Sequence, residues 1–216
     1  MVFSKPEVQN PTPIIAGAFF IGAVIVLFSW ACSWTVGRFI LLDAGGWATT
    51  FVNYAVMLSL SLVYVLSSSR SGPAKFGFRR SRVGGYGSGV VLGLLLGAAG
   101  SVTVLSVGNG GVSVLGGMSF WEMVLLVWVF ASVAEEFLVR GYVQSYLEPL
   151  SDAGFCIGKT RFTLPVLLSS LFFALMHLVL FITDTHPVTI GIVVFFTFFL
   201  GLVAAYQRER TGSVLP

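Results

Sequence analysis

The chain has 216 residues, of which 56% are hydrophobic and only 10% charged, against about 25% charged in an ordinary soluble domain. With a mean hydropathy of +0.93, this composition excludes a soluble globular enzyme. It points to an all-α, polytopic transmembrane helical bundle forming one integral-membrane domain over residues 1–216. A net charge of +3 gives no reason to expect nucleic acid as a partner, because the basic residues fall where membrane topology accounts for them.

The N-terminal MVFSKPEVQNPTP is polar and holds Pro6, Pro11 and Pro13. The apolar run behind it is too long for a cleaved signal peptide and lacks a small-residue cleavage site, so it reads as an uncleaved first span. About 20 apolar residues cross the hydrocarbon core as a helix. Runs of that kind lie at residues 14–36, 47–67, 86–107, 120–147, 164–182 and 187–206, giving six expected spans. The fourth is overlong and is expected to tilt or to project from the membrane. Gly93 with Gly97 in the third run, and Ala18 with Gly22 in the first, are small pairs suited to close contact between helices.

Cytoplasmic loops collect Lys and Arg. The segment after the second run carries Arg70, Lys75, Arg79, Arg80 and Arg82, Lys159 and Arg161 lie between the fourth and fifth, and Arg208 and Arg210 follow the sixth. The alternate segments hold Arg38 with Asp43, the uncharged GNGGVSVLGG, and Asp184 with His186. This alternation places the N-terminus, the basic segment and the C-terminus in the cytoplasm. The basic segment also suits anionic headgroups of membrane lipids. Cys32 and Cys156 form no motif and read as reduced.

The fourth run, VWVFASVAEEFLVRGYVQSYL, contains Glu135, Glu136 and Arg140. Three ionised, lipid-facing groups at mid-membrane would cost about 8 to 10 kcal/mol, so they must be paired, near an interface or facing a wet cavity. Glu136 and Arg140 are four apart and share a helix face, which Ser132 and Gln144 extend. Glu135 lies about 100° around the helix and is left as the carboxylate available for general acid–base work. In the fifth run, SSLFFALMHLVLFI places His177 one turn after Phe173, with Ser169 and Ser170 a turn earlier. A lone histidine of this kind serves either as a helix-to-helix hydrogen-bonding group or as part of a site. His186, followed by Pro187, reads as the start of a helix.

Glu135-Glu136-x-x-x-Arg140, with Gly141 next, and Phe173-x-x-x-His177 resemble the first two signatures of the CAAX protease and bacteriocin-processing enzyme family (CPBP or Abi), integral-membrane peptidases related to the type II CAAX prenyl endopeptidase. FFLGLVAAYQRERTGSVLP resembles the segment leading to the family's last signature, through Gly201, Tyr206, Thr211, Gly212, Ser213 and Pro216. The resemblance covers residues 119–216. It implies that Glu135 activates a water, that His177 holds and polarises it, and that Glu136 and Arg140 orient the helix or position substrate. The family's closing His-x-x-x-Asn and final span would lie beyond Pro216, so the chain is expected to be C-terminally truncated. The implied partner is a peptide or protein substrate, lipidated in some members, and the implied location a prokaryotic plasma membrane. Both glutamate-type hydrolysis and zinc chemistry fit a Glu/His pair. A catalytic zinc takes three protein ligands and a water, the sequence has no HExxH, and hydrolysis without a cofactor is therefore expected. The carboxylate and the imidazole are expected to meet in a cavity open to the cytoplasm, which requires the fourth helix to run on to about Leu147. Two alternatives stay open: a non-catalytic immunity or scaffold protein in which the charges only lock helices, and a small transporter.

Overall fold

The computed structural model describes residues 10–40, 45–68, 76–77, 87–107, 117–158 and 160–213. Six helices make up a bundle: α1 (Thr12–Phe39), α2 (Gly45–Ser68), α3 (Gly87–Val107), α4 (residues 120–146), α5 (Leu164–Met176) and α6 (Pro187–Thr211). Five stretches are long and apolar enough to cross a membrane: Thr12–Phe39, Gly46–Ser67, Val90–Val107, Leu164–Ile182 and Pro187–Thr211. Basic residues 70, 75, 79, 80, 82 and 159, Asp43, most of GNGGVSVLGG and Pro216 lie outside the described residues.

The remaining expected span, α4, is helical throughout but not regular. A capping box starts it: Ser119 Oγ accepts the Glu122 N–H at 3.4 Å, and the Glu122 carboxylate accepts the Ser119 N–H at 2.7 Å. Two π-helical stretches, Met123–Ala131 and Phe137–Val143, then flank a short α segment, Ser132–Glu136. Such widened turns rotate the side chains that follow them relative to a regular helix. The charged cluster sits on the α segment and enters the second widened stretch.

Helix α4 is the centre of the bundle. Leu138, Val139, Tyr142, Val143 and Leu147 have no exposed surface and pack with Ala18 and Ile25 of α1, Met57 of α2, and Phe172 and Phe173 of α5. The expected small pair in α1 does make a close contact. A Cβ on Gly22 would stand 2.6 Å from the Phe172 ring, so only glycine lets α5 approach α1 there. The expected Gly93–Gly97 contact in α3 does not form. Gly97 faces open space, while Gly93 and Gly100 meet Leu200 and Phe196 of α6. A seven-residue spacing returns to one helix face more closely than a four-residue one when α3 lies against a single neighbour.

A two-stranded hairpin, β1 (Gly154–Ile157) with β2 (Thr160–Thr163), interrupts the all-helical pattern between α4 and α5. Gly158 turns it at φ +59°. Phe155 pairs with Phe162, and the Phe162 ring stacks 5.6 Å from that of Tyr206, docking the hairpin on α6. Helix α6 begins with the imidazole of His186 accepting the Val188 N–H at 3.3 Å and ends at Gly212, φ +68°, in the left-handed conformation that closes helices. Leu, Val and Phe side chains cover the outer faces, with Phe20 70% and Leu105 80% exposed. That is the surface of a lipid-facing bundle, and the protein is an integral membrane protein. Exposed Trp34, Trp47, Trp121 and Trp128 gather where α1 ends and α2 and α4 begin, as an aromatic belt does at one membrane face.

Candidate active site

A cavity of about 600 Å³ opens between α1, α2, α4, α5 and the start of α6. Its polar wall holds Glu135 and His177, with Asn53 and Tyr54 from α2; Trp30, Met57, Ala131 and Leu180 are among its apolar lining. The lining comes from the second halves of α1 and α5 and the first halves of α2, α4 and α6. Successive packed helices therefore run in alternating directions, and the cavity belongs to one end of the bundle.

Glu135 and His177 reach this common space because α4 continues to Tyr146. Counted from their shared end, Glu135 lies about 16 Å and His177 about 20 Å along their helices at 1.5 Å per residue. The end at which the cavity sits differs from expectation. It lies towards Arg38 and Thr49, opposite the end that carries Arg161, Arg208, Arg210 and the basic segment of the sequence. If the basic end is cytoplasmic, the cavity is not. Depth along a helix can be counted from the sequence, but the side of the helix on which space is left depends on how neighbours pack.

The two glutamates diverge. The Tyr54 hydroxyl donates to Glu135 Oε1 at 3.5 Å. Glu136 Oε1 lies 3.5 Å from Arg140 Nε. Arg140 is 1% exposed, whereas the Glu136 side chain is 35% exposed. The guanidinium also donates from Nη2 to the Gly201 carbonyl at 3.2 Å and lies 4.6 Å above the Phe173 ring. One turn on, Gln144 donates to the Ala205 carbonyl at 2.9 Å. Arg140 thus joins α4 to α5 and α6. Gly201 suits this junction twice: its carbonyl receives Arg140, and a Cβ there would stand 3.2 Å from the Ser170 backbone. Ser132, expected on the same polar face, is exposed, while Ser169 and Ser170 bond to the Val166 carbonyl of their own helix.

The geometry of His177 follows from where α5 stops. At Met176 the helix tightens into a 3₁₀ stretch, His177–Ile182, and the His177 backbone N–H turns to the Ala174 and Leu175 carbonyls. That releases the Phe173 carbonyl, and His177 Nδ1 occupies it at 2.8 Å. A carbonyl only accepts, so Nδ1 carries a proton, and in the neutral imidazole Nε2 keeps its lone pair. Such a nitrogen can accept a hydrogen bond from water. Among the described residues no three His, Cys, Asp or Glu side chains converge.

No motif in the sequence points to Tyr54 or Asn53. The available signal was a polar pair inside the second apolar run, TTFVNYAVML, in a helix that shares no motif with α4.

Residues 117–216 match the family model described as type II CAAX prenyl endopeptidase Rce1-like. No curated protein and no solved structure matches the chain. The matched segment holds α4, the hairpin, α5 and α6, and includes the three motif segments quoted above. Over residues 117–216, a little under half of its length, the chain is thus similar to the Rce1-like type II CAAX prenyl endopeptidases.

Proposed function

We propose that the chain is a membrane-embedded endopeptidase that hydrolyses a peptide bond with a water activated between Glu135 and His177. The observation that carries this reading is that, of the two adjacent glutamates of α4, the one not paired with Arg140 lines the same cavity as the imidazole that follows α5. Glu135 takes a proton from water, and the resulting hydroxide adds to the scissile carbonyl carbon. The proton then passes to the amide nitrogen as the C–N bond breaks, freeing an amine and a carboxylate. His177 Nε2 accepts the water's second hydrogen and holds it in line, and Tyr54 fixes the Glu135 carboxylate from α2. Glu136 and Arg140 hold α4 against α5 and α6. No step calls for a cofactor.

A largely apolar cavity between helices suits a peptide or protein segment within or beside the bilayer, including one that carries a lipid. The basic segments favour a cytoplasmic N-terminus, and the cavity is then reached from the opposite face. Glu135→Gln and His177→Ala in proteoliposomes test the reading against a pool of internally quenched peptides. Each is expected to cut cleavage by at least about 100-fold while expression holds and the melting temperature falls by no more than a few degrees. Cleavage that survives both substitutions overturns it.

A second reading has its own support. Arg140, almost fully buried and tying its own helix to two others, is what a purely structural lock looks like, as in a non-catalytic immunity or scaffold protein. That reading predicts that the wild type cleaves no peptide in the pool.

A further inference from the structure

The carboxamide of Asn53 is a polar group that the fold buries and leaves unused. Asn53 is 8% exposed, its Oδ1 is buried without a partner, and no hydrogen bond to its side chain occurs among the described residues. It lines the cavity beside Tyr54, whose hydroxyl meets Glu135. Two hydroxyls of the same wall are already engaged: Ser33 donates to the Thr49 carbonyl at 2.7 Å, and Thr49 to the Gly46 carbonyl at 3.0 Å. Buried polar groups are nearly always paired, and leaving one unpaired in an apolar wall opposes folding. An exception that faces a cavity with a carboxylate and an imidazole calls for a ligand.

We propose that Asn53 is a substrate-binding residue, pairing with a main-chain amide of the peptide held in the cavity. A carboxamide presents an acceptor and a donor side by side, matching the N–H and C=O that one residue of an extended peptide turns to the same side. Glu135 and His177 cannot substitute for it, because the hydrolysis engages both. Binding through the backbone selects an extended peptide without selecting its side chains. Because α2 lies outside residues 117–216, this contact belongs to a part of the chain that the family match does not cover. The inference deepens the endopeptidase reading and rests on it for the identity of the ligand.

The sequence has three asparagines, Asn10, Asn53 and Asn109, so selective ¹⁵N-asparagine labelling gives three side-chain amide signals. Asn53→Leu, close in shape and apolar, assigns one of them. The probe is the same pool of internally quenched peptides, added to the Glu135→Gln protein in nanodiscs. The Asn53 amide signal is expected to shift with peptide concentration while the other two hold. In the wild-type background, Asn53→Leu is expected to raise KM at least about tenfold, the loss of one hydrogen bond or both, with kcat within about twofold and an unchanged or higher melting temperature.

An Asn53 signal that ignores the peptides overturns the inference, and so does an unchanged KM. A melting temperature that falls in Asn53→Leu overturns it as well, by making the residue structural. If the signal shifts but the wild type cleaves nothing, the peptide contact stands and the endopeptidase reading falls. If cleavage occurs and the signal is still, the reverse holds.

Discussion

His177 Nδ1 lies 2.8 Å from the carbonyl oxygen of Phe173, and the Phe173 ring lies under the Arg140 guanidinium at 4.6 Å. The imidazole is therefore tied to its own helix by a bond that involves no other element, while its neighbour's ring is held from α4. An activity effect of His177 can be separated from a stability effect for this reason. His177→Ala removes one hydrogen bond to a carbonyl and is expected to cost about 1 kcal/mol of stability, but at least about 100-fold in cleavage rate. Unfolding curves in detergent beside rate measurements check this. A loss of several kcal/mol would make the histidine a structural residue.

Arg140 and Glu136 form an asymmetric pair. Glu136→Gln leaves the guanidinium its contacts to Gly201 and Phe173, and the carboxylate it removes is partly exposed; the expected cost is about 1 kcal/mol or less. Arg140→Met removes a hydrogen bond from a charged donor, about 1.5 to 3 kcal/mol, and a cation–π contact, about 0.5 to 2 kcal/mol. The double variant is expected to be about as unstable as Arg140→Met alone. Recovery by more than about 1 kcal/mol in a double-mutant cycle would show that the ion pair, and not the junction of three helices, is the main contribution.

Two glycines read alike in sequence and differ in surroundings. Gly22→Val drives a side chain into the Phe172 ring and is expected to destabilise by about 1 to 3 kcal/mol. Gly97→Ala meets nothing within 4 Å and is expected to fall within about 0.5 kcal/mol of wild type. Melting temperatures of the two variants, measured side by side, check the packing of α1 and α3 together.

Sidedness is open to direct labelling. Cys156 is exposed on β1, and Arg38 lines the cavity at the other end of the bundle. In a Cys32→Ala background, a membrane-impermeant maleimide is expected to reach Arg38→Cys in intact cells and Cys156 only in inverted vesicles. Labelling of both from one face would contradict the alternating helix directions. Labelling with the faces exchanged would keep the bundle and reverse the orientation inferred from basic residues.

The spans were legible because a bilayer of fixed thickness demands a fixed length of apolar chain, and residues 12–39 and 187–211 satisfy that demand by composition alone. Glu136 and Arg140 were legible as a pair because four residues make about one turn. Tyr54 was not, since 81 residues separate it from Glu135 and no local rule links α2 to α4. Neither was the hairpin: GFCI and TRFT are four residues each, too short for alternation to stand out. The first widened stretch of α4 follows from no single residue, for Met123–Ala131 contains neither glycine nor proline. Gly97 shows the converse failure, a local motif that its neighbours do not use.

The cavity has two origins along the chain. Glu135 and His177 stand on the segment shared with the endopeptidase family, whereas Asn53, Tyr54 and the Trp30 side of the chamber stand on the pair of helices before it. On the endopeptidase reading, a change at Asn53 or on the Trp30 side alters what is admitted and leaves Glu135 and His177 in place, whereas one at Tyr54 also reaches Glu135; relatives that keep Tyr54 can diverge in diet while keeping the same teeth. Grafting this helical pair onto an Rce1-like domain would then carry over selectivity in place of reactivity.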